Sequence, residues 1–264
     1  MSVALKAKIA EVFEEPGCDI NQGKSEKERK KGCTKQLNPG AAAGGCAFDG
    51  AKIALSYATA AAAGATALYH VTRTVRESGV LSLAARSLIA TVGVFVFFEI
   101  LPHFPVGVSE VHFILGSTLF LILGAGPAAI GLAAGLLIQG LFFAPLDLPQ
   151  YGMNLTTLLV PLFALHALAR RVIAPGTAYV DLEYTQVLAL STVYQGGVVA
   201  WVAFWAVYGA GFGADALAAI GTFGVAYMAV ILIEPVADLA VLGLAKALKG
   251  KGSPLVTPRL YAAA

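Results

Sequence analysis

Residues 111–144 read VHFILGSTLFLILGAGPAAIGLAAGLLIQGLFFA, and whether they make one helix or two decides how this chain is folded. The run is apolar almost throughout, with a natural break at Gly124-Ala-Gly-Pro127. Outward from it, apolar stretches of bilayer-crossing length fall at about 53–72, 82–101, 153–170, 187–209 and 217–243. The basic residues between these stretches are Arg73, Arg76 and Arg86; Arg170 and Arg171; and Lys246, Lys249, Lys251 and Arg259. With 111–144 split into 111–124 and 127–144, all nine fall on one side, and the opposite loops 102–110, 145–152 and 210–216 contain no Lys or Arg. A single span would strand Arg170 and Arg171 on the far side. The positive-inside bias therefore selects two spans, about seven helices, an outward N-terminal end of the bundle and a cytoplasmic C-terminus.

Composition agrees: 58% of the 264 residues are hydrophobic and 13% charged, against about 25% charged in soluble domains. The expected fold class is an all-α polytopic transmembrane helix bundle with a polar, flexible N-terminal tail, placed in the cell inner (cytoplasmic) membrane and in contact with its lipid. The division is 1–50 tail, 51–245 bundle and 246–264 short basic tail. Net charge is only +2, but eight of the eighteen Lys and Arg lie before residue 36, and the rest mark topology, not nucleic-acid binding.

The tail reads as a short amphipathic stretch at Lys6–Phe13, a break at Pro16-Gly17, a charge run at Lys24–Lys35 and a Gly/Ala-rich linker at Pro39–Gly45. Its cysteines, Cys18, Cys33 and Cys46, match no zinc or disulfide spacing. No apolar h-region of a secretory signal appears in the first 50 residues, so the first membrane helix is expected to direct insertion. A tail with eight basic residues would then have to cross the membrane, which sets it at odds with the bundle.

Leu101–Gly116 (LPHFPVGVSEVHFILG) carries the chemistry. Pro102, Pro105 and Gly107 oppose helix, while His103, Ser109, Glu110 and His112 bring polar groups to the edge of an apolar span. The next span is short and ends in Gly-Ala-Gly-Pro, a broken-helix pattern of transporter binding sites. A second irregular stretch, Pro145–Asn154 (PLDLPQYGMN), is expected at the same outer end. His112 is the main candidate metal ligand, because a neutral imidazole at a helix end suits nickel and cobalt; a carbonyl-bonded interfacial histidine is the alternative. His103 and Glu110 are candidate partners or solvated loop residues. His70 and His166 read as capping or snorkelling groups.

Glu99 and Glu234 are the carboxylates nearest the membrane interior, either functional or helix-bonding. Gln139 suggests an interhelical hydrogen bond and Gly131–Gly135 a close helix approach. No Walker A loop, nucleophile with a base or zinc-protease helix is present, so an enzyme is not expected.

From about residue 49 the chain resembles the CbiM/NikM family, the membrane substrate-capture subunits of energy-coupling-factor ABC transporters for cobalt or nickel. The likeness rests on Val108-Ser-Glu-Val-His112 before a Gly-rich helix, Gly126-Pro127, Gln139 and Gly152-Met-Asn154. It implies Co2+ or Ni2+ as transported substrate with no permanently bound cofactor. It also implies energy-coupling ATPase subunits and a coupling transmembrane subunit as partners. Position by position it makes His112 the internal metal ligand and puts Asn154 in the segment that supports the site; Ser109, Glu110 and His103 are the further supporting candidates from the residues themselves. The family's other ligands come from a mature N-terminus beginning Met-His-Ile, whereas this chain begins Met1-Ser2-Val3 and has no histidine before His70.

Residues 6 to about 55 resemble instead the start of NifE, a scaffold for nitrogenase iron–molybdenum cofactor assembly, through Cys46-Ala-Phe-Asp-Gly-Ala51. Cys46 matches a cluster-ligand cysteine there, but one cysteine cannot hold a cluster. Asp49–Leu55 is compatible with both families, which places a join there. Three readings stand: a metal-uptake subunit, a membrane-anchored module for nitrogenase cofactor assembly, or a chimera without a competent metal site.

Overall fold

The computed structural model describes residues 50–101, 103–248 and 254–261. The stretch at Lys6–Phe13, the break at Pro16-Gly17, the charge run, the linker, the three cysteines, Lys249 and Lys251 all lie outside the described residues. The described residues are an apolar helix bundle. Gly50–Phe95 is helical except at Gly79 (φ 81°, ψ 164°), a conformation glycine adopts without strain, so it comprises two helices, α1 (50–78) and α2 (80–95). A π-helical turn, Val96–Ile100, extends α2, and Leu101 turns to extended backbone before Pro102.

A small antiparallel hairpin follows, β1 (Phe104–Val106) and β2 (Ser109–Val111). Its ladder pairs Phe104 with Val111, Pro105 with Glu110 and Val106 with Ser109. Gly107 opens the two-residue loop at φ 62°, the place where a II′ turn needs glycine. Next come α3 (Gly116–Leu123), α4 (Ala125–Phe142), a 3-10 turn at Pro145–Gln150 and α5 (Tyr151–Val172). The chain ends with α6 (Tyr184–Ala210), α7 (Ala214–Met228), a 3-10 turn at Ala229–Leu232 and α8 (Glu234–Ala247).

Among the described residues five stretches are long and apolar enough to cross a membrane, and the first, Gly50–Ile100, is two helices because of Gly79. Small residues set the packing of the pair that returns. A Cβ at Gly131 would lie 2.2 Å from the Ala90 Cβ, one at Gly135 2.6 Å from Val94, and one at Gly126 2.9 Å from the His70 carbonyl. Helix α4 thus runs parallel to α2 and antiparallel to α3, with the reversal at Gly124 (φ 89°). Residues 111–144 therefore hold two helices, of which Ala125–Phe142 alone is long enough to cross a membrane.

Three expectations need correction. The span expected at 111–124 is helical only from Gly116 to Leu123, and eight residues give about 12 Å of helix, under half a bilayer core. Residues 112–115 lead into it in non-helical backbone, with Leu115 left-handed at φ 52°, because β2 delivers the chain already extended. The helix expected at 217–243 is broken between Met228 and Glu234, where Pro235 occupies the start of α8, the helical position that needs no N–H. Arg73 and Arg76 stand on the last turns of α1 and not in a loop.

The described basic side chains other than Lys52, which lies against Gly209 at the close of α6, gather at the end of the bundle away from the hairpin. Arg86 reaches the end of α3, Arg259 lies over the Tyr179 ring and Lys246 pairs with Asp181 at 2.8 Å.

Candidate metal site

The hairpin builds the site by register. Continuing the ladder one residue outward sets His103 opposite His112, and Glu110, two residues before His112, shares its face of the strand. Glu110 Oε2 lies 3.4 Å from His103 Nδ1 and 3.2 Å from His112 Nε2. The two imidazoles stack at 5.2 Å between centroids, and one ligand atom from each of the three residues lies within 4.8 Å of the others. Phe98 covers His112 at 4.6 Å, so His112 is buried while His103 and Glu110 are exposed. The buried His112 Nδ1 has no hydrogen-bond partner among the described residues. The hydrogen bond with His112, aided by the charge of both histidines, holds the Glu110 carboxyl below its usual range against the opposing effect of burial. Two imidazole nitrogens and one carboxylate oxygen are a donor set for borderline divalent ions.

Ser109 is one residue out of phase with Glu110, exposed opposite Val106, and does not join the cluster. Asn154 does not touch it either. It lines a neighbouring water-sized recess with Gln139, Asp147, Leu148 and Tyr151. Burial, with the Glu110 charge adding to it and His112 opposing, pushes the Asp147 carboxyl above its usual range. Reading the sequence passed over Asp147, although it is the one acid in the second irregular stretch. Gln139 lines the recess instead of showing a helix-to-helix bond.

The remaining candidates lie elsewhere. His70 and His166 meet edge to face at 4.6 Å on α1 and α5, away from the hairpin. Glu99 sits half-buried in the π turn, and Glu234 is fully buried in the bundle interior.

Residues 47–251 match the CbiM family model, described as the cobalt uptake substrate-specific transmembrane region. The chain belongs to the CbiM family. It is a multi-pass membrane component of cobalt or nickel uptake. In this CbiM chain the segment ahead of the bundle has a different likeness. A 52-residue match is 67% identical to the nitrogenase iron-molybdenum cofactor biosynthesis protein NifE of Mesorhizobium japonicum, covering 20% of this chain and 10% of that one. The NifE of Rhodobacter capsulatus is 64% identical over 55 residues, 21% of this chain and 12% of its own length. That of a Nostoc species is 52% identical over 50 residues, 19% and 10% of the two chains. The chain thus spans about a tenth of the length of these curated relatives. No solved structure matches the chain.

Proposed function

We propose that this CbiM chain is the substrate-capture subunit of an energy-coupling-factor ABC transporter for Co2+ or Ni2+. The observation that carries the reading is the convergence of His103, Glu110 and His112 on one face of the hairpin. The ion enters at the hairpin end, which the positive-inside bias sets outside, and passes inward through a bundle whose C-terminus is cytoplasmic. Asp147 and Asn154 border the entry, and waters complete the coordination that the family takes from its Met-His N-terminus. The sequence offers no nucleotide-binding loop, so energy comes from separate ATPase subunits through a coupling transmembrane subunit. Uptake of radioactive cobalt or nickel in cells co-expressing those partners tests this, with His112→Ala as control. Uptake no greater than in vector-only cells would leave a chimera without a competent site.

The NifE likeness favours a second reading, a membrane-anchored module whose tail docks on cofactor-assembly proteins. That reading needs the tail in the cytoplasm, whereas the first places it outside. Labelling of Cys18, Cys33 and Cys46 by a membrane-impermeant thiol reagent in intact cells rules out the docking module, and complete protection rules out the outward tail.

A further inference from the structure

Deep in the bundle, where α3 begins and α8 begins after its break, two carboxylates share one hydroxyl. Ser117 Oγ lies 2.6 Å from Asp238 Oδ2 and 3.3 Å from Glu234 Oε1. Thr118 donates its hydroxyl to the other Asp238 oxygen, and Ser191 Oγ and Gln195 Nε2 each donate to Glu234 Oε2 at 2.6 Å. Glu234, Ser117, Ser191 and Gln195 are 0% exposed and Asp238 is 1% exposed. Among the described residues no Lys, Arg or His pairs with either carboxylate. The N-termini of α3 and α8 offset about half a unit of charge each, which leaves about one negative charge without a protein partner. A bare charge in that environment is not sustained; it is neutralised by protons or by a cation.

A second observation points to a cation. Gln195 Oε1 belongs to the amide that bonds Glu234, is fully buried, and has no partner of its own. Gln195 Oε1 is therefore a buried acceptor that no donor of the cluster uses. The Ser, Thr and Gln groups that now donate to the carboxylates can rotate to present oxygen instead. A helix that starts after non-helical backbone and one that restarts after a break meet at this polar cluster, an arrangement in which membrane proteins hold ions.

We infer that the bundle interior holds a second divalent-cation site, formed by the carboxylates of Glu234 and Asp238 with Gln195 Oε1 and the hydroxyl oxygens of Ser117 and Ser191. Two carboxylates neutralise one divalent ion, and an all-oxygen set accepts Co2+ as well as harder ions such as Mn2+ and Mg2+. The non-helical segment 112–115 links His112 to Ser117, so the interior site lies on the order of 15 Å further along the chain's path into the bundle. The inference rests on the uptake reading only for its choice of ion.

The test is equilibrium dialysis of the full chain in nanodiscs against Co2+ alone. The double variant Glu234→Gln, Asp238→Asn is expected to bind one ion fewer than the unsubstituted chain, and His112→Ala also one fewer, at the outer cluster. Equal binding by the double variant and the unsubstituted chain overturns the interior site. Unchanged binding by His112→Ala together with the loss in the double variant overturns the outer site and leaves the interior one standing. Should the double variant fail to fold, infrared difference spectra of His112→Ala with and without Co2+ decide. Loss of a protonated-carboxyl band on adding Co2+ supports the site, and unchanged carboxyl bands overturn it.

Discussion

His103 stands directly across the hairpin from His112, the two rings stacked at 5.2 Å with 18° between their planes. They are not equivalent. His112 is fixed beneath Phe98 at the point where the chain enters the bundle, while His103 stands in the open at the end of the ladder. A ligand already held in place loses less freedom on binding, so His112 is the anchor and His103 the adjustable arm.

Their substitutions should differ accordingly. His112→Ala is expected to weaken Co2+ binding to the outer cluster at least ~10-fold, about 1.4 kcal/mol, and His103→Ala less. Titration calorimetry in nanodiscs measures both, and an effect of His103→Ala equal to or larger than that of His112→Ala would contradict the anchor role.

Glu110 makes the hairpin acid-sensitive in the absence of metal. Its carboxyl is held below the ordinary value of 4.5, chiefly by the hydrogen bond with His112. A folded-state value below the unfolded one means the ionised form is favoured in the fold. The stabilisation is therefore complete above about pH 4.5 and disappears as the pH falls through the lower folded value. Because nearly half of the Glu110 side chain is exposed, the effect should be small. Thermal melting of wild type and Glu110→Gln should differ at neutral pH and converge in acid; a gap that widens in acid would refute the sign.

Gly107 seats the hairpin on α7. A Cβ there would stand 2.1 Å from the Ala219 carbonyl, at a φ of 62° that L side chains rarely adopt. Gly107→Ala is expected to cost roughly 1–2 kcal/mol from the backbone alone, and to lift the hairpin. Co2+ binding at the outer cluster should fall although no ligand is changed, while the double variant of Glu234 and Asp238 keeps its outer ion. Unaltered outer binding in Gly107→Ala would show that the seat does not position the ligands.

Much of this was legible in the residues. Arg73, Arg76, Arg170 and Arg171 indicated the number of crossings because charge at loop ends answers to the membrane alone. Pro102, Pro105 and Gly107 marked the interruption that became the hairpin, because proline restricts the backbone and glycine allows the positive φ of a tight turn. The length of α3 was not legible: 111–124 is apolar but for His112, Ser117 and Thr118, and apolarity does not tell a buried helix from a buried extended segment. Asp238 escaped notice because it sits four residues after Glu234 inside a helix, and only the packing of α3, α6 and α8 shows that both face one cluster. Ser109 was grouped with Glu110 by adjacency, yet in a strand adjacent residues point to opposite faces.

The basic end has its own fixed point in Arg86. It is 1% exposed, donating from Nη1 to the Leu123 carbonyl at 2.9 Å and from Nε to the Ser82 carbonyl at 3.3 Å. Helix α3 has only eight residues, so its final carbonyls are half of its hydrogen-bonding capacity and carry its negative pole. Thr257 caps the neighbouring carbonyl of Ile122 through its backbone N–H at 2.8 Å, which ties the C-terminal segment to the same helix end. Arg86→Met should therefore cost about 1.5–3 kcal/mol, the range for hydrogen bonds involving a charged group, with Arg86→Lys recovering part of it. Since α3 also supplies Ser117 and Thr118, the Met variant should loosen the interior cluster and leave the hairpin in place. Thermal melting and Co2+ dialysis of the same samples separate these effects. A Met variant with unchanged melting would mean that the α3 terminus is held by Thr257 alone.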